Sequence, residues 1–201
     1  AAVFDLSSLL PVGTTVPDLG GARVAETGRL FAIDEGTFAV WARVSGEAQG
    51  WVLLGFREGR VETIAQERIS DELVRDVKAG LLTVRRQELG VGSKRGWSVV
   101  AGAKSVLLQE KPLEEIASGG TSPIHVWDKQ GLRRLFGAGD TITHRGNTYR
   151  CATATLGNAN SSGAAVIAFT TSAPEKGVGL ALHDAKGLRA IMTEDQPLPG
   201  T

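Results

Sequence analysis

Residues 51–66 (WVLLGFREGRVETIAQ), 124–140 (IHVWDKQGLRRLFGAGD) and 178–195 (VGLALHDAKGLRAIMTED) share one pattern of apolar and polar positions. Each has an apolar run, a short polar turn closed by glycine, and a second apolar run led by a basic residue. The turn glycines Gly59, Gly131 and Gly187 lie 72 and 56 residues apart. Self-similarity at such periods marks a repeat architecture. A strand-like run precedes each copy, at 37–44 (TFAVWARV), 97–103 (WSVVAGA) and 164–170 (AAVIAFT). The polar, glycine-bearing connectors at 45–50 and 171–177 read as hairpin loops. Further upstream, 22–33, 80–89 and 148–156 alternate enough for one more strand each. The pattern predicts a single repeat domain over 1–201, with repeats at approximately 12–69, 80–140 and 141–201. Each repeat is a four-stranded antiparallel sheet, and such sheets in tandem are the blades of a β-propeller. The expected fold is therefore all-β, of three blade-like repeats. A closed propeller uses about four to eight blades, which keeps a β-sandwich or partial barrel as the alternative.

Two segments depart from the strand pattern. In 70–82 (SDELVRDVKAGLL), Ser70 can cap a helix and Asp71 and Glu72 suit its positive end, while Leu73, Val74 and Val77 form an apolar stripe. A short helical insertion over 70–79 is predicted. In 111–117 (KPLEEIA), Pro112 suits a first helical position and Gly119-Gly120 would end the helix. Residues 1–6 (AAVFDL) read as an extra outer strand, able to pair within the chain or with another molecule.

Composition narrows the partners. Twenty-six glycines fit many short strands joined by tight turns. Basic and acidic residues balance at 22 each, whereas nucleic acid and anionic membranes call for clustered positive charge. Neither is an expected partner. The clusters Arg85-Arg86, Lys94-Arg95 and Arg133-Arg134 read as solvated edges or turns. No apolar run approaches the roughly 18 residues of a membrane span. Cys151 is the sole cysteine, so no intrachain disulfide forms; within YRCATATL it reads as a small buried residue. The chain begins Ala1-Ala2-Val3 without an intact signal peptide, as a processed mature protein or a trimmed chain would.

The third repeat carries a resemblance. Asn160-Ser161-Ser162-Gly163 followed by Ala168-Phe169 is similar, with one extra residue, to the signature of bacterial NxxGxxxAF tandem-repeat (choice-of-anchor) proteins. The family's repeat ends G-L-x-x-[VI]-x-x-E-G-D-x-x-P-G-T. Gly187-Leu188-Arg189-Ala190-Ile191 and the run Glu194-Asp195-Gln196-Pro197-Leu198-Pro199-Gly200-Thr201 resemble that ending, and Leu10-Pro11-Val12-Gly13-Thr14 reads much the same. Asp34-Glu35-Gly36-Thr37-Phe38-Ala39 is a looser match in the first repeat, and the middle repeat matches only over 131–140. The resemblance implies a β-propeller-like, exported repeat protein and carries over no functional residues. In physical terms, Asn160 with Gly163 is turn chemistry: the amide bonds the backbone and glycine accepts positive φ.

Candidate chemistry is sparse. His125 and His183 lie in matching strands and could face a shared axis beside Asp128 and Asp184, but a metal site needs further convergent ligands. No metal or other cofactor is expected, and the two aspartates read as turn residues. His144 and Cys151 could form a base–nucleophile pair only within hydrogen-bond reach of each other; a loop histidine and a strand cysteine are the plainer reading. The GAGD at 137–140 lacks the following helix of a phosphate loop. The pairs Glu114-Glu115 and Glu194-Asp195 read as a solvated face and a turn; two glycosidase carboxylates would have to converge across a sugar. Trp41 and Trp127 follow apolar alternation and read as core. Trp51 and Trp97 each follow glycine at a strand start, which makes them candidate rim aromatics for a partner or sugar. These features point to a non-catalytic structural or binding module, secreted or at the cell surface. Its partner would be itself, as a dimer or filament, or another protein or glycan. The alternatives are a hydrolase with a site in a central propeller channel and a cytoplasmic scaffold or regulatory domain.

Overall fold

In the computed structural model of the chain, residues 10–46, 49–66, 95–112, 122–172 and 176–193 are described. They form thirteen β-strands and one 3₁₀ turn (Pro17–Leu19). The chain divides into two compact units, Ala1–Leu82 and Thr83–Thr201.

The first unit is a four-stranded antiparallel meander of β1 (Arg23–Asp34), β2 (Thr37–Ser45), β3 (Gly50–Arg57) and β4 (Arg60–Gln66). Its central strands are apolar on successive residues because both faces are buried. One face carries Val24, Val40, Ala42, Val44, Val52 and Leu54. The other carries Phe31, Ala39, Trp41, Leu53 and Ala65. The segment leading into β1 covers the first face with Leu10, Val16, Leu19 and Ala22. It is fastened at both ends of the sheet. Gly13 N–H donates to Val24 O at 2.7 Å, and Val24 N–H to Thr14 O at 2.9 Å. Across the sheet, Asp18 in the 3₁₀ turn accepts Thr63 N–H of β4 at 3.2 Å.

The second unit contains two sheets. The first is the meander β5 (Arg95–Ala101), β6 (Val106–Pro112), β7 (Ile124–Asp128) and β8 (Gly131–Phe136). The second runs β13-β12-β11-β10-β9, built from β9 (Thr141–His144), β10 (Asn147–Ala159), β11 (Ala165–Thr171), β12 (Val178–Asp184) and β13 (Gly187–Thr193). His144 Nδ1 lies 3.2 Å from Ala190 O, so β9 comes back beside β13 and the sheet is a nearly closed barrel. Leu107, Ile124 and Phe136 of the meander share one core with Ile142, Tyr149, Leu156, Ile167 and Phe169 of the barrel. Phe136 meets Phe169 edge to face at 5.7 Å.

The all-β expectation therefore holds, with three four-stranded meanders at β1–β4, β5–β8 and β10–β13. The strands differ from the predicted ones in the middle repeat. β6 was not foreseen, and Lys111 and Pro112 belong to its end rather than to a helix. Pro112 is tolerated there because β7 pairs with β6 only over Val106–Gln109, so this end of β6 is not flanked by β7. The short β9 was also not foreseen. The predicted strand at 80–89, the helical insertion at 70–79, the rest of the 111–117 helix and the strand at 1–6 lie outside the described residues.

Gln109 joins the two sheets of the second unit. Its side chain, on β6, is fully buried. β9 pairs with β10 only over Asn147–Arg150, which leaves the edge of β10 open beyond that point. The Gln109 amide fills it: Nε2 donates to Ala154 O at 2.7 Å, and Oε1 accepts Leu156 N–H at 2.8 Å. The second N–H donates to Ser122 O at 2.8 Å. One side-chain amide thus stands in for a missing strand. Gln109→Leu should cost about 3 kcal/mol or more, since it leaves several buried backbone groups unpaired. Gln109→Glu should be no better, because a carboxylate would face the two carbonyl oxygens. Urea unfolding measures both; a loss under about 1 kcal/mol would mean that another group satisfies that edge.

Candidate functional site

The repeated hairpins place their polar residues in recurring ion pairs. In the β7–β8 hairpin, Asp128 Oδ1 accepts Gln130 N–H at 2.8 Å, closing the turn. The same carboxylate takes Arg133 in a two-pronged pair at 2.7 and 2.8 Å. The β12–β13 hairpin repeats this: Asp184 accepts Lys186 N–H at 2.8 Å and pairs with Arg189 at 2.7 Å. The β3–β4 hairpin has the charges reversed, with Arg57 Nε 3.4 Å from Glu62 Oε1. In all three, acid and base stand five residues apart across the turn. Burial pushes the Asp128 carboxyl up, but the hydrogen bonds from Arg133 and Gln130 outweigh it and leave it below its ordinary 3.8. The Lys186 N–H and Arg189 hold Asp184 low as well.

The turn glycines are not equivalent. Gly131 and Gly187 follow their two-residue loops, pair with Asp128 and Asp184, and have φ of 92° and 101°. Gly59 lies inside its loop, one position earlier, and shares positive φ with Glu58 at 73° and 53°. Two successive positive φ values make a type I′ turn, whereas the other two hairpins have the single left-handed glycine of a bulged turn. Asn160 accepts Ser162 N–H at 3.0 Å, Ser162 Oγ–H at 2.7 Å and Ala164 N–H at 2.9 Å through Oδ1. Gly163 has φ 77°, and a Cβ there would clash with the backbone of Gly102 and Ala103 in the β5–β6 turn. Both needs exclude a side chain.

The histidines do not converge. His125, the second residue of β7, pairs with Leu108 and Arg134. His183 pairs with Ala165 and Leu188, one residue before its turn. The matching strands thus present them at different rungs. Among the described residues, no three His, Cys, Asp or Glu side chains are grouped to hold a metal. Burial lowers the pKa of both. His183 is buried, and its Nδ1 has no hydrogen-bond partner among the described residues.

His144 and Cys151 sit at opposite ends of the β9–β10 pairing. His144 lies opposite Asn147, whereas Cys151 bonds Asp140 and Gly139 beyond the start of β9. Four residues of strand separate them, on the order of 13 Å. Burial pushes the Cys151 thiol up to about 11, and its S–H donates to Thr153 O at 3.2 Å. A protonated, hydrogen-bonded thiol out of reach of the imidazole is a packing group. The GAGD segment is a turn, in which Asp140 N–H donates to Gly137 O and Arg134 clamps both Ala138 O and Asp140.

Trp41 and Trp127 are buried, with Trp41 Nε1 unpartnered among the described residues. Trp51 is half-buried, with its ring over Gly28 of β1. Trp97 is half-buried on β5, opposite Glu110. Trp51 lies in the first unit and Trp97 in the second. Glu114-Glu115 and Glu194-Asp195 lie outside the described residues. The hairpin ion pairs and the Gln109 amide were missed from sequence. The pairs had a signal in the recurrence of Asp-x-x-Gly-Leu-Arg at 128–133 and 184–189.

The reversed polarity of the first hairpin generates a test. Asp128→Ala or Arg133→Ala should each cost a few tenths to about 1 kcal/mol, the range of partly exposed pairs. Exchanging the two, Asp128→Arg with Arg133→Asp, should restore the ion pair but not the Gln130 N–H bond, and so recover only part of the loss. The depressed Asp128 value means that the pair stabilises fully above the ordinary 3.8 and loses its effect as pH falls through the lower folded value. A double-mutant cycle by chemical unfolding, at neutral pH and well below 3.8, checks both statements.

Compared with family models, curated proteins and solved structures, the chain finds no match.

Proposed function

We propose that the chain is a non-catalytic, exported structural or binding module, built of blade-like repeats, that assembles with copies of itself. The observation that carries this reading is the use of the repeated polar residues. Asp128, Asp184, Asn160, Arg133 and Arg189 spend their hydrogen-bonding capacity on holding turns. What recurs in this sequence is therefore a fastener, as a scaffold requires. The similarity of the third repeat to exported bacterial tandem-repeat proteins supports the same reading.

Association falls most naturally on the β5–β8 meander. The β9–β13 sheet turns back on itself, and Thr14 and Asp18 occupy part of the free sides of β1 and β4, at Val24 and Thr63. The outer strand β8 carries Leu132, 48 % exposed, beside Arg133 and Arg134. An edge strand of this kind can pair with another chain.

Light scattering over a concentration series tests the reading against the 21.1 kDa of one chain. A dimer that survives dilution, or larger open-ended species, is the expected result, and Leu132→Lys should weaken it. A mass of one chain at every concentration would overturn self-assembly, and turnover of a hydrolase substrate would overturn the non-catalytic reading.

A further inference from the structure

His183 is the buried ionisable group of the second unit whose ring nitrogen Nδ1 has no partner among the described residues. It stands in a cross-strand row with Ala159 on β10, Ala165 on β11 and Leu188 on β13. Ala165 is fully buried, and Ala159 and Leu188 pack against the unit's core. Nothing in that row can share a proton.

Charge surrounds the row without bonding to Nδ1. Asp184 follows on the same strand, tied to Arg189 of β13. Asp128 and Arg133 of the β7–β8 hairpin act on His183 across the seam between the two sheets. The facing residues of β10 and β11 are alanines and carry no charge. Both carboxylates already hold a guanidinium. An imidazolium formed here would have to compete for Asp128 or Asp184 against Arg133 and Arg189, or leave the apolar row.

We propose that His183 is a proton-sensitive latch, whose protonation loosens the seam where the β7–β8 hairpin faces the β12–β13 hairpin. Burial lowers the imidazole pKa, opposed by Asp184, reinforced by Arg133 and opposed again by Asp128. The folded chain thus takes up this proton less readily than the unfolded chain does. Stability is full above 6.5, falls as pH drops below it, and levels off beneath the depressed folded value. His125 shifts in the same direction, but it lies near the start of β7, away from the β7–β8 turn, beside Arg134 and Glu110.

Hydrogen exchange on the full chain, corrected for intrinsic rates and compared above and below 6.5, tests the latch. Amides of β7–β8 and β12–β13 should lose protection by up to about tenfold per pH unit, while those of β1–β4 change little. His183→Leu, which fills the site without a titrating nitrogen, should abolish the difference. An unchanged pH effect in that variant, or a loss spread evenly over the chain, would overturn the proposal. Should His183→Leu fail to fold, the NMR titration of the native imidazole decides alone. Half-protonation below 6.5, with the β7–β8 amide shifts following it, supports the latch; half-protonation at or above 6.5 sinks it.

Discussion

An open strand edge inside a protein is costly, because each buried N–H and C=O left without a partner forfeits a hydrogen bond that water would have supplied. β10 creates such an edge. It runs for 13 residues, whereas its neighbour β9 has only four. The Gln109 amide, with one donor and one acceptor aimed at Ala154 O and Leu156 N–H, completes the ladder from a different sheet. Because Gln109 belongs to β6, this contact also fixes how the β5–β8 meander sits on the barrel. The shared core of Leu107, Ile124, Phe136 and Phe169 then packs in a register already set by directional bonds.

The turns show the same economy. Each hairpin must hold two strands in one register, since a slip of one residue would exchange the buried and exposed faces. The bulged turns at Gly131 and Gly187 are held by an aspartate that bonds the loop N–H and an arginine together. The type I′ turn at Glu58-Gly59 has no such aspartate, and its fastener has the opposite polarity. What is common to the three is an ion pair across the turn; in the two bulged turns the carboxylate stands before the loop because it also accepts the loop N–H. The reactive residue types fall within the same logic. The Cys151 thiol is protonated and bonded to Thr153 O, and Arg134 clamps the turn that precedes β9.

Much of the strand grammar was legible along the chain. Alternation and turn residues place β1 to β5, β7, β8 and β10 to β13 near their observed positions. The Asn160–Gly163 turn was legible too, because an Asx side chain and a left-handed glycine act within a few residues. β6 was harder to see: Val106-Leu107-Leu108-Gln109 lacks alternation because both its faces are buried, and a glutamine in that run reads as a break. β9 has four residues and no pattern long enough to read.

By itself, then, the sequence determined the β class, most hairpins and their turns, since these follow from side-chain period and local backbone preference. Only the tertiary structure decided that the third sheet closes upon itself, because that closure joins β9 to β13, residues 46 apart at the His144–Ala190 contact. It also decided that Gln109 serves as part of a strand and that His183 is buried with no partner for Nδ1 among the described residues. Those outcomes depend on which surfaces meet across the core, and hydrophobic burial is non-directional. An apolar pattern says that a face will be covered, and the covering surface alone selects which polar groups must find partners there.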